Sequence, residues 1–231
     1  MFYEPAHQTS GLPHNPFTAC CVPRPIGWLS TVSVDGVHNL APFAQFQNVT
    51  FEPPTVLFSA CGWPPKDTLT NALATGEFVW NMATYDLREQ VAGSAMTFPP
   101  EVDEFEVLGL ETLPSVLVAP RRVARSPVHF ECNVINSIEI ESSIEAGRAT
   151  VVIAHVVGIH ISDSALTDDG RVDVVGVRPL ARLGYLDYTA IGDMFEINPE
   201  MPDGPWKPDE ALRGNSTGLF HMPEVPHDSS E

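Results

Sequence analysis

The chain reads as a mainly β protein, a small antiparallel barrel carrying a few short helices. Three observations predict this. Short apolar and β-branched runs follow one another from Ile26 to Met82, separated by Gly and Pro breaks. An Asp-Gly pair, Asp35-Gly36, sits between two of these runs. Two long β-rich runs, 128–143 and 149–162, are joined only by Ile144-Glu145-Ala146-Gly147-Arg148. Many strands with few helices suit a barrel better than an α/β layer arrangement.

The elements follow in order. Residues 1–22 carry Pro, His, Asn and Gly without a period, and are expected to form an irregular arm. Ile26–Val34 and Val37–Phe43 flank Asp35-Gly36 and should form a hairpin. Asp-Gly predicts a two-residue primed turn, because both central residues must accept positive φ. Pro42 has no N–H to give a ladder, so it belongs at a sheet edge or bulge. Thr55–Ser59 is a short strand after the Pro53-Pro54 break. A helix through Leu69, Ala72, Leu73 and Ala74 starts at Asp67 or Thr68 as N-cap and stops at Gly76. Phe78–Met82 is the next strand, and Tyr85–Ala92 a short helix. Thr97–Glu111, with Pro99-Pro100, is a surface excursion with one helical turn near Glu104. The two long runs pair antiparallel. Asp168-Asp169-Gly170-Arg171 is a turn, and Leu183–Tyr188 a last strand. From Asn198 onward six prolines and seven acids stand against Lys207 and Arg213 alone, which predicts an extended tail. The expected organisation is therefore an arm, 1–22, a barrel domain, 23–190, and a Pro-rich acidic tail, 191–231. No internal repeat is present.

The 231 residues are 43% hydrophobic and 18% charged, which describes a globular protein with a sizeable core. The formal net charge is −18, from 30 acids and 12 bases. Such a surface repels nucleic acid and anionic lipid. Cations beside a phosphate-sized pocket therefore carry weight. Cys20, Cys21, Cys61 and Cys132 lack zinc or redox spacing; one disulfide pair stays open. No signal peptide and no membrane-spanning apolar run is evident, so a cytoplasmic protein is expected. His155 and His160 lie five apart, which on a regular strand means opposite faces, and no metal site is expected.

A strand ending at Ser59, then a loop, then Lys66-Asp67-Thr68 at a helix start, makes an anion site. Free N–H groups and the helix dipole favour negative charge there. Ser59 and Thr68 add hydroxyls, and Lys66 a charge. Asp67 would repel a phosphate, so its expected task is to cap the helix. Taken alone, these residues fit an ordinary capped helix with a solvated lysine better than an anion site.

Their surroundings add to this. An Arg24-Pro25 first strand is followed by a turn and Asn39-Leu40-Ala41-Pro42-Phe43. Pro53-Pro54 precedes a strand, Lys66-Asp67-Thr68 opens a helix, and Gly76-Glu77-Phe78-Val79-Trp80-Asn81 follows. Asp103-Glu104-Phe105, Ser126-Pro127-Val128-His129-Phe130-Glu131-Cys132, His160 with Asp163, and Arg178-Pro179-Leu180-Ala181-Arg182-Leu183-Gly184 come later. In this order the motifs resemble the flavin reductase-like family, an FMN-binding split barrel, from Pro23 to Tyr188. The resemblance implies that Ser59, Lys66 and Thr68, with Asp67 among them, hold the FMN phosphate. It implies that Thr31 and the backbone of Ala41, Pro42, Phe43, Ala44, Gln45 and Phe46 line the isoalloxazine ring, with Asn48 at its edge. It implies a homodimer with flavin at the interface, where Arg24 serves either as a flavin contact or in a structural ion pair. His160 is expected either to touch the nicotinamide or to end a strand in water. Gln45, Gln47 and the Pro-rich loop Ala60–Pro65 depart from the family pattern.

The implied reaction is hydride transfer from NADH or NADPH to FMN, with reduced flavin passed to an acceptor such as a flavin-dependent monooxygenase. No Gly-x-Gly-x-x-Gly occurs, so the nucleotide must meet the flavin directly. Two other readings stand beside it: an FMN-binding electron carrier or flavin store, and a pyridoxamine phosphate oxidase-like barrel.

Overall fold

The computed structural model describes residues 1–5, 9–196, 200–201 and 204–205. Most of the predicted tail lies outside the described residues. In chain order the first elements are α1 (Phe17–Cys20), β1 (Arg24–Pro25), β2 (Gly27–Val32), β3 (His38–Phe43), β4 (Phe46–Phe51) and β5 (Pro54–Cys61). Then come α2 (Asp67–Thr75), β6 (Glu77–Met82), α3 (Arg88–Gly93), α4 (Glu104–Val107), β7 (Thr112–Leu113) and β8 (Arg122–Val123). The last are β9 (Val128–Ile140), β10 (Ala149–Ile161), α5 (Val174–Val177), β11 (Leu180–Gly184), β12 (Asp187–Ala190), β13 (Glu200–Met201) and β14 (Gly204–Pro205).

The fold is mainly β. Seven antiparallel strands run in the order β3-β2-β6-β9-β10-β5-β4. The two edge strands, β3 and β4, are joined through Ala44-Gln45, and the Ser59 amide donates to the Gln45 carbonyl at 2.9 Å. The sheet thus curls until its edges nearly meet, which makes the barrel split rather than closed. Its interior holds Leu29, Phe43, Phe46, Phe58, Phe78, Trp80 and Cys132. Phe46 stacks on Trp80 with centroids 5.5 Å apart, and Phe43 meets Phe58 at 5.5 Å. A second cluster outside the barrel, with Trp28, Leu40, Leu87 and Phe105, seats α3 and α4. Pro42 lies on edge strand β3, where its missing N–H costs nothing.

Several elements differ from expectation. The arm contains a helical turn, α1. The first hairpin does not use a two-residue primed turn. The Gly36 amide donates to the Ser33 carbonyl at 3.0 Å, so Val34 and Asp35 are the central pair and Gly36 follows at φ +86°. The Ser33 hydroxyl accepts from the Asp35 and Val37 amides, which favours this longer turn. Neither Asp67 nor Thr68 is the N-cap of α2. Lys66 holds that place, and no side chain caps the helix. Leu183–Tyr188 is not one strand but the turn of a hairpin between β11 and β12, because Gly184 and Tyr185 both take positive φ. A register slip between Val156 and Gly158 changes the count along β10. His155 and His160 therefore share the outer face, although they bind different partners, Thr55 and Glu131.

Three buried polar side chains fasten loops to this barrel. Asn81 accepts from the Val123 amide at 2.8 Å and donates to the Trp28 carbonyl at 3.1 Å. Glu104 accepts from the Leu40 amide at 3.0 Å, which occupies a donor on edge strand β3. Burial pushes the Glu104 carboxyl up from its usual range. Glu131 accepts from the amides of Val116, Leu117 and Val118 at 2.8, 2.5 and 3.2 Å. All four cysteines are free thiols.

Candidate functional site

Helix α2 is amphipathic, and its apolar residues Leu69 and Ala72 enter the barrel core. It packs on β2, β3 and β6. That packing places its N-terminus over the β2–β3 hairpin, where Thr68 meets Asn39. The first turn of a helix leaves its amides without intrahelical acceptors. Among the described residues no acceptor meets the N–H groups of Asp67, Thr68 and Leu69. Lys66 just ahead of them is exposed and makes no ion pair among the described residues. Ser59, on β5, is half-buried, and its amide is tied to Gln45. Free amides, an ammonium and a hydroxyl are donor types suited to a phosphate. Gly76 ends the helix in the left-handed region, as expected.

The predicted residues divide into three groups. Ser59 and Ala44 are half-buried, and Gln45, Asn48 and Lys66 are exposed. Ala41 and Pro42 are half-buried on β3. Phe43 and Phe46 turn their rings into the core, so only their backbone can line a ligand. Thr31 and Thr68 are internal, at 0% and 1% exposure. Asn39 donates to the hydroxyls of Thr31 at 3.2 Å and Thr68 at 2.8 Å, and Asn71 donates to Thr31 at 3.2 Å. This network faces α2 from inside. The hydroxyls of Thr31 and Thr68 are thus engaged by Asn39 and Asn71, while no acceptor meets the Thr68 amide among the described residues. Asp67 is the first helical residue, suited to the dipole rather than to capping.

Arg24 makes no ion pair among the described residues; its Nη1 donates to the carbonyls of Thr18 at 2.9 Å and Cys21 at 2.7 Å. His160 stands apart from these residues. Its Nε2 meets Glu131 at 2.5 Å, in a groove of about 490 Å³ shared with His129 and Arg122. In the sheet it pairs with His129, which pairs with Asn81, then Trp28, then Pro42. Four strand spacings of ~4.8 Å separate it from Pro42.

Sequence reasoning missed Arg148. Its guanidinium sits 5.1 Å from the Trp63 ring, at a groove of about 430 Å³ between the 60–65 loop, α2 and the β9–β10 tip. Arg148 stood in a link and Trp63 in a loop, and only the pairing of β5 with β10 brings them together.

The fold is a split barrel with exposed backbone donors at the start of α2. The flavin reductase like domain model matches residues 19–181, and the chain belongs to that family. A protein of Aquifex aeolicus is 37% identical over 166 residues, 71% of this chain and 82% of its own. One of Halalkalibacterium halodurans is 36% identical over 180 residues, 77% and 86% of the two chains. Nitrilotriacetate monooxygenase component B from Bacillus cereus superposes with TM-score 0.79 at 26% identity, over 85% of this chain and 98% of that one. The flavoredoxin of Desulfovibrio vulgaris shares the fold, with TM-score 0.68 at 20% identity over 82% and 96%. The chain is thereby a flavin-related oxidoreductase by family. No helix among the described residues is long and apolar enough to cross a membrane.

Proposed function

We propose that this chain is an FMN-dependent NAD(P)H:flavin oxidoreductase working as a homodimer. The observation that carries this reading is the unsatisfied donor set of Lys66, Ser59 and the first amides of α2, beside the split. In a chain of net charge −18 a cation placed ahead of free helix amides favours an anion there. Lys66 supplies charge to the phosphate, the amides and Ser59 supply direction, and Thr31, Thr68, Asn39 and Asn71 keep the helix start in place. The backbone from Ala41 to Phe46 lines the ring, anchored by Phe43 and Phe46 in the core. Asn48 and Gln45 stand at the exposed rim. Bound FMN supplies the redox chemistry, accepting hydride from NADH or NADPH. No acid–base pair is required of the protein. His160, bound to Glu131 in its own groove, is left out of the nicotinamide contact within one chain.

The dimer is supported by exposed apolar side chains. Ile135, Ile138 and Ile140 on β9 stand bare, as do Val49 and Phe51 on β4. Contiguous exposed apolar surface is characteristic of interfaces. The consumer of reduced flavin is then an acceptor protein of the monooxygenase type. Anaerobic addition of NADH, then NADPH, tests the reading. Bleaching of the flavin bands by either is expected. A yellow protein that stays oxidised with both would make it an electron carrier or flavin store.

A further inference from the structure

We propose that a second anion site, formed by Arg24 and Arg182, takes the pyrophosphate of the dinucleotide that donates hydride. The site is a groove of about 720 Å³ between the N-terminal arm and the β11–β12 turn. It reaches Ala44 and Gln45, the backbone assigned to the flavin ring, and the inference rests on that assignment.

Arg24 on β1 pairs directly with Arg182 on β11. Directly opposed residues of an antiparallel pair share a face, and like charges there are destabilising. Among the described residues no carboxylate forms an ion pair with either one. Each guanidinium is nevertheless held. Arg24 binds two carbonyls through Nη1, and its Nε has no acceptor. Arg182 lies 4.5 Å over the Tyr188 ring and donates to its hydroxyl. Two fixed planar forks with donors to spare suit the paired charges of a pyrophosphate.

The rest of the groove fits a nucleotide. His14 and Tyr185 form an aromatic wall, with centroids 5.5 Å apart, against which a base can lie. The arm that carries His14 is seated closely. A Cβ on Gly184 would come 2.7 Å from the Thr18 carbonyl, so glycine allows α1 to rest on β11. The arm, an irregular segment by sequence, is on this account one wall of the donor site.

The test is calorimetric titration of ADP-ribose into the FMN-loaded protein. This probe carries the pyrophosphate and adenosine but no nicotinamide. Binding to the wild type is expected, weakened about tenfold by Arg182→Gln, while FMN affinity is unchanged. Asn15→Asp is a second variant. It keeps the oxygen that accepts from the Phe17 amide at 3.1 Å and adds a negative charge to the groove, so it should weaken binding too. No binding to the wild type, or wild-type affinity in both variants, overturns the proposal. Binding that depends on these residues in a protein that neither NADH nor NADPH bleaches would keep the groove and remove the reductase reading. Bleaching together with unchanged ADP-ribose affinity in both variants would do the reverse.

Discussion

Glu131 and Lys66 stand at opposite ends of this molecule's polar chemistry. Glu131 is fully buried, and three loop amides and His160 close around its carboxylate. Those bonds hold its carboxyl below the usual range, although burial pulls it upward. Lys66 is exposed, and the amides behind it have no partner. The comparison separates two uses of polar groups. Bonds completed within the chain hold the fold, and donors left open at the surface are free to meet solvent or a ligand. Asn81 and Glu104 belong with Glu131; Ser59, Arg24 and Arg182 belong with Lys66.

Breaking the closed end should have the largest effect. Glu131→Ala strands three amides and should cost about 3–5 kcal/mol in the denaturant midpoint, with FMN affinity of the folded protein unchanged. A loss under ~1 kcal/mol would mean that the 116–118 loop is not held by this carboxylate. His129, next to it, gives the comparison a pH axis. Burial lowers its pKa to about 4, with Arg122 and His160 adding to the shift. It is neutral in the fold and titrates near 6.5 when unfolded. Its contribution is therefore complete above pH 6.5 and is lost as pH falls to about 4, on the order of 3 kcal/mol. Glu104 acts in the opposite sense, because its carboxyl is raised. His129→Gln should flatten stability against pH over that window, and an unchanged slope would assign it elsewhere.

At the open end the effects move from stability to binding. Lys66→Ala should weaken FMN by about 1.5–3 kcal/mol, roughly 10- to 150-fold, with stability within ~0.5 kcal/mol of wild type. Fluorescence titration measures the first and thermal melting the second. Asp67→Asn gives the smallest change. It removes a charge that repels phosphate and favours the helix dipole, so FMN should tighten about two- to threefold while the fold loses ~0.3–1 kcal/mol. Both shifts in one direction would break the distinction.

The same division explains what the sequence made legible. Strand runs, the α2 stop at Gly76, edge placement of Pro42 and the long β9–β10 pair are local or periodic, and they read directly. The Ser33 turn was misread because a hydroxyl two residues away outweighed the Asp-Gly preference. The β10 slip hid from residue counting, which assumes regular alternation. Near α2, the free first-turn amides were legible because a helix start announces them. The burial of Thr31 and Thr68 was not, since a hydroxyl in sequence does not say which face it takes. Arg148 with Trp63, and Arg24 with Arg182, come together only through strand pairing, over 85 and 158 residues of separation (148 less 63, 182 less 24).

The central claim is that Lys66, Ser59 and the α2 amides recognise a phosphate. The most direct measurement compares the dissociation constants of FMN and riboflavin, which differ by that group alone, in wild type and Lys66→Ala. The account predicts FMN at least about a hundredfold tighter in the wild type, with the gap reduced at least about tenfold in the variant. Equal affinity for the two flavins, or a gap untouched by removing Lys66, would contradict it.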